Sequence, residues 1–455
     1  MQDLDLIANR LFNICRSITG PGIRQSLKII SEYMPLDIVE VKSGTKVFDW
    51  TVPKEWELIE GSLSDLDGNV LIDTKDNTMH VLNFSQSFEG IVTREELFKS
   101  HLFSLPSLPD AIPYVTSYYK DRWGFCVSEK QKQKLTQDKF KVSIKTQKYD
   151  GALTYGHAFL QGKSDKKIVI STYLCHPNML NNELSGPLCM ILLYNMLKAQ
   201  EDRYYSYEFF INPETIGSLS ILATYGQKLK ENLVFGMVLT CLCNKKDKEL
   251  PLSFKLTRRD GLYNKCLDKD IDTTIRPYAI DKYLRFVCAN NDMSIRSFDP
   301  TSGSDERQYC SANIDLPFVQ ASRTVYASYA EYHTSLDNKD LFSISSIKDS
   351  AYDIFNILNK YRLFILKIGL NIEGGEPQLG KRDLYPTINT PLILNSSKDG
   401  VCDNRKTLDT ILNFISLCDG SLNLLEIAKI LDLSFKEAQD YFKLLHDKDV
   451  IKLLD

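Results

Sequence analysis

The stretch IVISTYLCHPNMLNNELSG, residues 168–186, decides the fold. Its opening run, Ile168-Val169-Ile170, is apolar throughout, as in a strand buried on both faces. The run ends in Cys175-His176-Pro177 and a polar loop with Asn181, Asn182 and Glu183. Ser185 and Gly186 then open a helix that carries Leu188, Ile191, Leu192 and Met196. Open α/β sheets place ligands where a strand empties into such a loop and turns into a helix.

The surroundings repeat the pattern. Downstream, residues 205–211 and 233–242 read as strands, with a helix at 218–228 between them. Later segments are a helix at 280–289, short strands at 295–298 and 316–321, and a long helix at 344–368. Upstream, two amphipathic helices at 2–17 and 23–34 break at Gly20-Pro21-Gly22, and a strand follows at 38–41. Segments 139–145 and 152–160 read as a β-hairpin around Asp150-Gly151. The alternation predicts an α/β fold, a largely parallel sheet with helices on both faces.

Two segments stand outside this pattern. Residues 46–134 have the texture of a small β-rich insert, with Asp67-Gly68 as a hairpin turn and Thr93 with Glu96 as a capping box. Prolines 106, 109 and 113 precede an aromatic run of Tyr114, Tyr118, Tyr119 and Trp123, which reads as core in preference to cleft wall. After the linker Glu373-Gly374-Gly375-Glu376-Pro377 come three short helices, at 407–417, 422–431 and 434–445, and a terminal strand near Val450-Ile451. That order predicts a winged helix. Its presumed recognition helix sets Asp440, Asp447 and Asp449 against Lys436, Lys443 and Lys448, a poor balance for DNA. A protein partner is the favoured use. The expected domains are 1–45 with 135–370, the insert 46–134, and the linker and winged helix 371–455.

Composition bounds the rest. The chain has 455 residues, 43% hydrophobic and 25% charged, with net charge −4. A core can form without staples, and gross electrostatic binding of nucleic acid is disfavoured. Asp3, Asp5 and Arg10 interrupt the first apolar residues, so no signal peptide is expected, and no window approaches a membrane span. The 11 cysteines are scattered without a C-x-x-C pair, which fits a reduced, cytoplasmic protein. Cys241 and Cys243 read as small core residues. The oligomeric state stays open, a homo-oligomer included.

Four stations fall near the ends of predicted elements: His176 with Asn182 and Glu183; Glu214 in Pro213-Glu214-Thr215-Ile216-Gly217; Asp305 and Arg307 after Gly303-Ser304; and Tyr332-His333 with Asp337. Only six histidines exist, and two are here. Imidazoles and carboxylates are what zinc takes, and a glutamate beside a zinc-bound water can remove its proton. Each station alone has a structural reading: a capped strand, a capped helix or a surface ion pair. Together they read as one site.

Those stations carry a resemblance. The order of His176, Asn-Asn-Glu-Leu-Ser-Gly, Glu-x-x-Gly, Ser-Asp and Tyr-His-Thr-x-x-Asp resembles the co-catalytic zinc aminopeptidases, a superfamily that also holds glutamate carboxypeptidases and glutaminyl cyclases. The chain is more closely similar to bacterial proteins with an aminopeptidase-like domain found with polysaccharide biosynthesis, which carry an inserted domain and a winged helix. SGTKVFDWTVPKEW, DAIPYVTSYYKDRWGFC, STYLCHP, NELSGP, PETIGS, GSDERQYCS and EYHTSLDN carry this likeness over the chain to Leu370. It implies a zinc-aminopeptidase-like mixed sheet, His176 and His333 as metal-binding histidines, Glu214 as general base and Asp305 near the substrate.

The departures are specific. Asn182 stands at the bridging aspartate, Thr215 at a second metal-binding glutamate, and Asn178 at the aspartate that orients the first histidine. Asn244 is the nearest polar residue to a further expected ligand. The resemblance therefore implies one zinc ion, held by His176, His333 and Glu183 or Asn182, or none. The expected activity is hydrolysis of an amide, in a peptide or a sugar precursor. Glu214 and Asp305 are assigned to catalysis, and Arg307 and Tyr332 to substrate. The alternative is a binding or assembly protein that keeps the pocket without turnover.

Overall fold

The computed structural model of the chain describes residues 3–243, 245, 250–326, 328–385 and 404–454. It divides into two compact units, Met1–Arg276 with Arg296–Phe355, and Pro277–Ile295 with Asn356–Asp455.

The main sheet of the first unit contains β1 (Asp37–Lys42), β2 (Ala152–Leu160), β3 (Ser164–Tyr173), β4 (Tyr205–Asn212), β5 (Leu233–Leu239), β6 (Leu252–Lys255) and β7 (Phe318–Ser322). They lie in the order β1-β2-β4-β3-β5-β7-β6. The centre, β4-β3-β5-β7, is parallel. β1, β2 and β6 join antiparallel, so the sheet is mixed. β3 is central, and its residues 167–173 are all buried, as its apolar opening requires.

Helices α1 (Leu4–Phe12), α2 (Pro21–Ser31), α3 (Ser185–Lys198) and α4 (Ile216–Asn232) accompany the sheet. α3 starts tight against two strands. A Cβ on Gly186 would lie 2.1 Å from Thr172 Oγ1 and 2.6 Å from the Leu239 carbonyl oxygen, so this position needs glycine. At the far ends of β3 and β4, Tyr173 pairs with Asn212. The loops bearing His176 and Glu214 therefore leave the sheet side by side.

Two expectations change here. The segments either side of Asp150-Gly151 are not a hairpin. Lys139–Tyr149 joins an antiparallel four-stranded sheet with Glu55–Ser64, Phe88–Thr93 and Val70–Asp73, whereas Ala152–Leu160 is β2 of the main sheet. The chain crosses between sheets at Gly151, where Glu55 packs against its Cα. The sheet of the insert thus extends past residue 134. It closes over Leu63, Trp123, Phe125, Phe140, Val142 and Ile144. The second change is the polar loop at 181–183, which is a buried helical turn, Leu180–Leu184.

The second unit has an antiparallel sheet of Asp419–Asn423, Lys367–Leu370 and Ile451–Leu454, with Lys367–Leu370 in the middle. Helices Asn404–Ser416, Leu424–Ile430 and Phe435–Asp447 complete a winged-helix arrangement. Capping boxes at Asn423/Glu426 and Ser434/Glu437 start the last two helices. The strand Asp419–Asn423 was not predicted, since Gly420 reads locally as a helix stop.

Candidate active site

The site begins with a buried arginine. Arg16 follows α1 and is fully buried. Its Nε donates to the His176 carbonyl at 3.0 Å, and one terminal nitrogen donates to the Leu11 carbonyl at 2.6 Å. Glu183 lies 3.8 Å from Nε. The Glu183 carboxylate accepts from the backbone N–H groups of Cys175 and His176, the latter at 2.9 Å. Its other oxygen lies 2.7 Å from His176 Nδ1. Burial opposes charge on the His176 ring, but the thiol of Cys175 and the carboxylate of Glu183 outweigh it and hold the ring well above the usual histidine range. Burial itself pushes the Cys175 thiol up to about 11.

With Nδ1 engaged by Glu183, the His176 ring presents Nε2 to the cleft. Glu214 stands 3.9 Å from Nε2. Ser304 Oγ donates to the Glu214 carboxylate at 2.7 Å, and the Glu214 N–H points at Cys175 Sγ, 3.4 Å away. Burial raises the Glu214 carboxyl; the charge on His176 and the Ser304 hydroxyl only partly oppose this. His333 stands beside His176, its ring centroid 5.1 Å from that of His176 and stacked on Tyr332 at 3.9 Å. Burial, and then His176, keep the His333 ring well below the usual range, so it is neutral.

Asn182 is held by its backbone and one side-chain nitrogen. Its N–H donates to Asp337 at 2.8 Å, and Nδ2 donates to the Tyr173 hydroxyl at 2.9 Å. Oδ1 is buried and has no hydrogen-bond partner. Asp337 also accepts from the Asn181 N–H at 2.7 Å and the Tyr329 hydroxyl at 3.0 Å, which ties the His333 loop to the turn Leu180–Leu184. The backbone around the site is strained: Asn178, Thr215 and His333 have φ of 52°, 63° and 54°. For a β-branched residue such as Thr215 this is a genuine outlier, and such strain gathers at functional sites.

Asp305 does not face the cleft. It is fully buried and accepts from the Thr215 N–H at 2.7 Å, the Ser218 hydroxyl at 2.9 Å and Asn212 Nδ2 at 2.9 Å. It anchors the strained start of α4, so its expected catalytic place near the substrate gives way to a positioning contact behind Glu214. Burial and the Glu214 charge push its carboxyl up to about 7. Arg307 lies half-buried beside the Pro300 carbonyl at 3.4 Å, away from the cleft wall. Asn244 lies outside the described residues.

The cleft measures about 250 Å3 and is lined by Ile18, Trp50, Tyr118, Tyr119, Cys175, His176, Glu214, Thr215 and Ile216. The aromatic run is thus divided: Trp123 enters the core of the insert, and Tyr118 and Tyr119 face the cleft. Arg16 and Trp50 are not among the residues the sequence singles out, whereas Ser304 belongs to the third station. Trp50 lies inside the signature SGTKVFDWTVPKEW; nothing local marks Arg16 as buried.

These donors make at most a weak site for one metal ion. Among the described residues, the group of three ligand-bearing side chains with mutually close donor atoms is Cys175, His176 and Glu183. Arg16 already neutralises Glu183 there, and a dication beside a guanidinium is repelled. On the other side of the ring, Glu214 lies 3.9 Å from His176 Nε2, and the His333 ring centroid lies 5.1 Å from that of His176. A histidine fixed by a carboxylate on its second nitrogen is the usual orientation for a metal ligand. Glu183 is therefore placed to orient His176 rather than to bind metal.

A family model described as a domain of unknown function, DUF4910, matches residues 5–361. The chain belongs to the DUF4910 family. A winged helix-turn-helix model matches residues 367–453 of this DUF4910 protein. A Clostridium acetobutylicum relative, provisionally named a polysaccharide biosynthesis protein with aminopeptidase-like domain, is 35% identical over 449 residues, 98% of this chain and 95% of the relative. A crystal structure from the same organism, provisionally termed a peptidase, matches with TM-score 0.80 at 31% identity, over 99% of this chain and 96% of the other. The zinc aminopeptidase of Bacillus subtilis matches with TM-score 0.53 at 11% identity, over 78% and 93%, a likeness of fold alone. The DUF4910 protein thus has an aminopeptidase-like fold with a C-terminal winged helix. Among the described residues, no helix is long and apolar enough to cross a membrane.

Proposed function

We propose that this protein hydrolyses an amide bond of a small molecule, a peptide or a sugar precursor, with Glu214 as general base. The observation that carries this reading is the placement of the Glu214 carboxylate. It is 26% exposed to the cleft, raised by burial, fixed by Ser304 and 3.9 Å from His176. A carboxylate whose proton affinity is raised by burial can take a proton from water and return it to a leaving amine.

His176, His333 and Asn182 Oδ1 would hold a single zinc ion. When bound, it would polarise the scissile carbonyl and acidify water. The protein's own parts do the positioning. Glu183 fixes the His176 ring, Arg16 balances Glu183, and Asp305 holds the backbone on which Glu214 sits. The Tyr332 ring keeps His333 in place.

Asn182 and Thr215 favour a second reading, a binding protein without turnover, because each removes a charge that zinc would use. Metal analysis of protein purified without chelator, with hydrolysis assays on N-acyl amino sugars and peptide amides, separates the two. Near-stoichiometric zinc that falls in the His176→Ala/His333→Ala variant, and hydrolysis lost in Glu214→Gln, support the hydrolase. Absence of both metal uptake and turnover after zinc loading supports the binding protein.

A further inference from the structure

The cleft has an outer wall that amide chemistry does not require. Trp50 and Tyr119 are 41% and 53% exposed, unlike the other two tryptophans, Trp56 at 3% and Trp123 at 9%. The rings of Trp50 and Tyr119 meet edge to face, with centroids 5.8 Å apart at 72°. The Tyr119 hydroxyl donates to the Thr51 carbonyl at 3.3 Å, which ties the two segments together. Each segment holds a large aromatic residue in the left-handed region, Phe48 at φ 57° and Tyr119 at φ 60°. Bulky side chains seldom adopt this conformation, and it persists where a ligand clamp needs it.

The composition of the wall selects the ligand. None of the residues lining the cleft is lysine or arginine, and its one charged ring, His176, is already paired with Glu183, so the lining holds no unpaired cation for a phosphate or carboxylate. The volume of about 250 Å3 is below the range of drug-sized pockets and suits one ring with a short substituent. Aromatic faces carry negative charge density, which attracts the C–H face of a saturated ring. The Thr215 hydroxyl at the cleft wall offers a bond to a polar edge.

We propose that the Trp50–Tyr119 pair is a sugar-stacking subsite, which seats the pyranose ring of an N-acylated amino sugar with its acyl amide turned toward Glu214 and His176. The proposal rests on reading the cleft as an amide-processing site and names its substrate class.

Calorimetric titration of the full chain with N-acetylglucosamine, glucose and a capped dipeptide amide tests it. Trp50 emission is a second readout, since the other two tryptophans are buried. Saturable binding of N-acetylglucosamine is expected, with a shift in tryptophan emission. Trp50→Ala and Tyr119→Ala should weaken it tenfold or more at unchanged melting temperature. Trp50→Phe should keep most of the affinity while removing the emission change. Binding should survive in Glu214→Gln, so sugar binding without turnover by the native protein would support the subsite and count only against the hydrolase. No saturable sugar binding, binding of the dipeptide alone, or sugar affinity unchanged in Trp50→Ala would overturn the subsite.

Discussion

At the scale of single residues, the decisive feature is the orientation of Glu183. Its carboxylate sits between Arg16 and His176 Nδ1, with two backbone N–H groups completing its bonds. Removing the charge alone should leave Arg16 buried and unpaired. Glu183→Gln is therefore expected to lose about 3–5 kcal/mol of stability in urea unfolding, independent of added zinc. Arg16→Met in the same background should recover part of that loss, because the pair would then be absent on both sides. A loss of zinc affinity at native stability would instead make Glu183 a ligand. Asp305 gives a test of opposite character. Its carboxyl rises from 3.8 to about 7 on folding. A raised carboxyl binds its proton more tightly in the folded state. Its contribution is fully present below about pH 3.8 and is lost as pH rises through about 7. Melting temperatures from pH 4 to 8 should fall less steeply in Asp305→Asn than in the native chain. Equal slopes would show that Asp305 does not titrate in this window.

At the scale of elements, the sequence reads well where a pattern is local and poorly where its outcome depends on distant partners. β3 was legible because an apolar run has few other destinations. His176 and Glu214 were legible as site residues because each follows such a strand. The pairing of Tyr173 with Asn212 then brings them together. The role of Asp305 was not legible: Ser-Asp beside a site looks the same whether its carboxylate faces solvent or a helix start. Asp150-Gly151 misled for a similar reason. An Asp-Gly pair between two strands favours a hairpin locally, but the two strands belong to different sheets. Gly151 is needed there for space. A Cβ would lie 2.4 Å from Glu55 Oε1 and 2.7 Å from Glu55 Cγ. Glu55 cannot easily yield, since it holds Arg24 of α2 at 2.9 and 2.7 Å, the Ala152 N–H at 2.8 Å and the Tyr149 hydroxyl at 3.1 Å. Gly151→Ala is therefore expected to cost about 1–3 kcal/mol, as overpacking does. Denaturant unfolding measures it. A neutral outcome would mean that Glu55 relaxes without losing its bonds.

At the scale of the whole molecule, the open question is why a site of this kind shares a chain with a winged helix. Such helices often enter the major groove, so nucleic acid is the first partner to test. The helix Phe435–Asp447 turns Phe435, Ala438, Tyr441, Phe442 and Leu445 inward. What remains for a partner includes Lys436 and Lys443, set against Glu437, Asp440 and Asp447. Affinity for duplex DNA comes largely from phosphate contacts by lysine and arginine, each of which adds to the salt dependence. A helix with more carboxylates than amines, on a chain of net charge −4, supplies little of this. The full chain is expected to leave a fluorescent duplex unshifted at about 150 mM salt, where non-specific binders typically reach dissociation constants of ~10⁻⁴–10⁻⁶ M. Mixed charge beside apolar residues suits a protein surface better, with the acidic residues excluding competing nucleic acid. Replacing Asp440 and Asp447 by lysine should then create weak, salt-sensitive duplex binding in a chain that otherwise lacks it. Tight duplex binding by the native chain, with a steep loss of affinity as salt rises, would defeat this argument and make the winged helix a nucleic-acid reader.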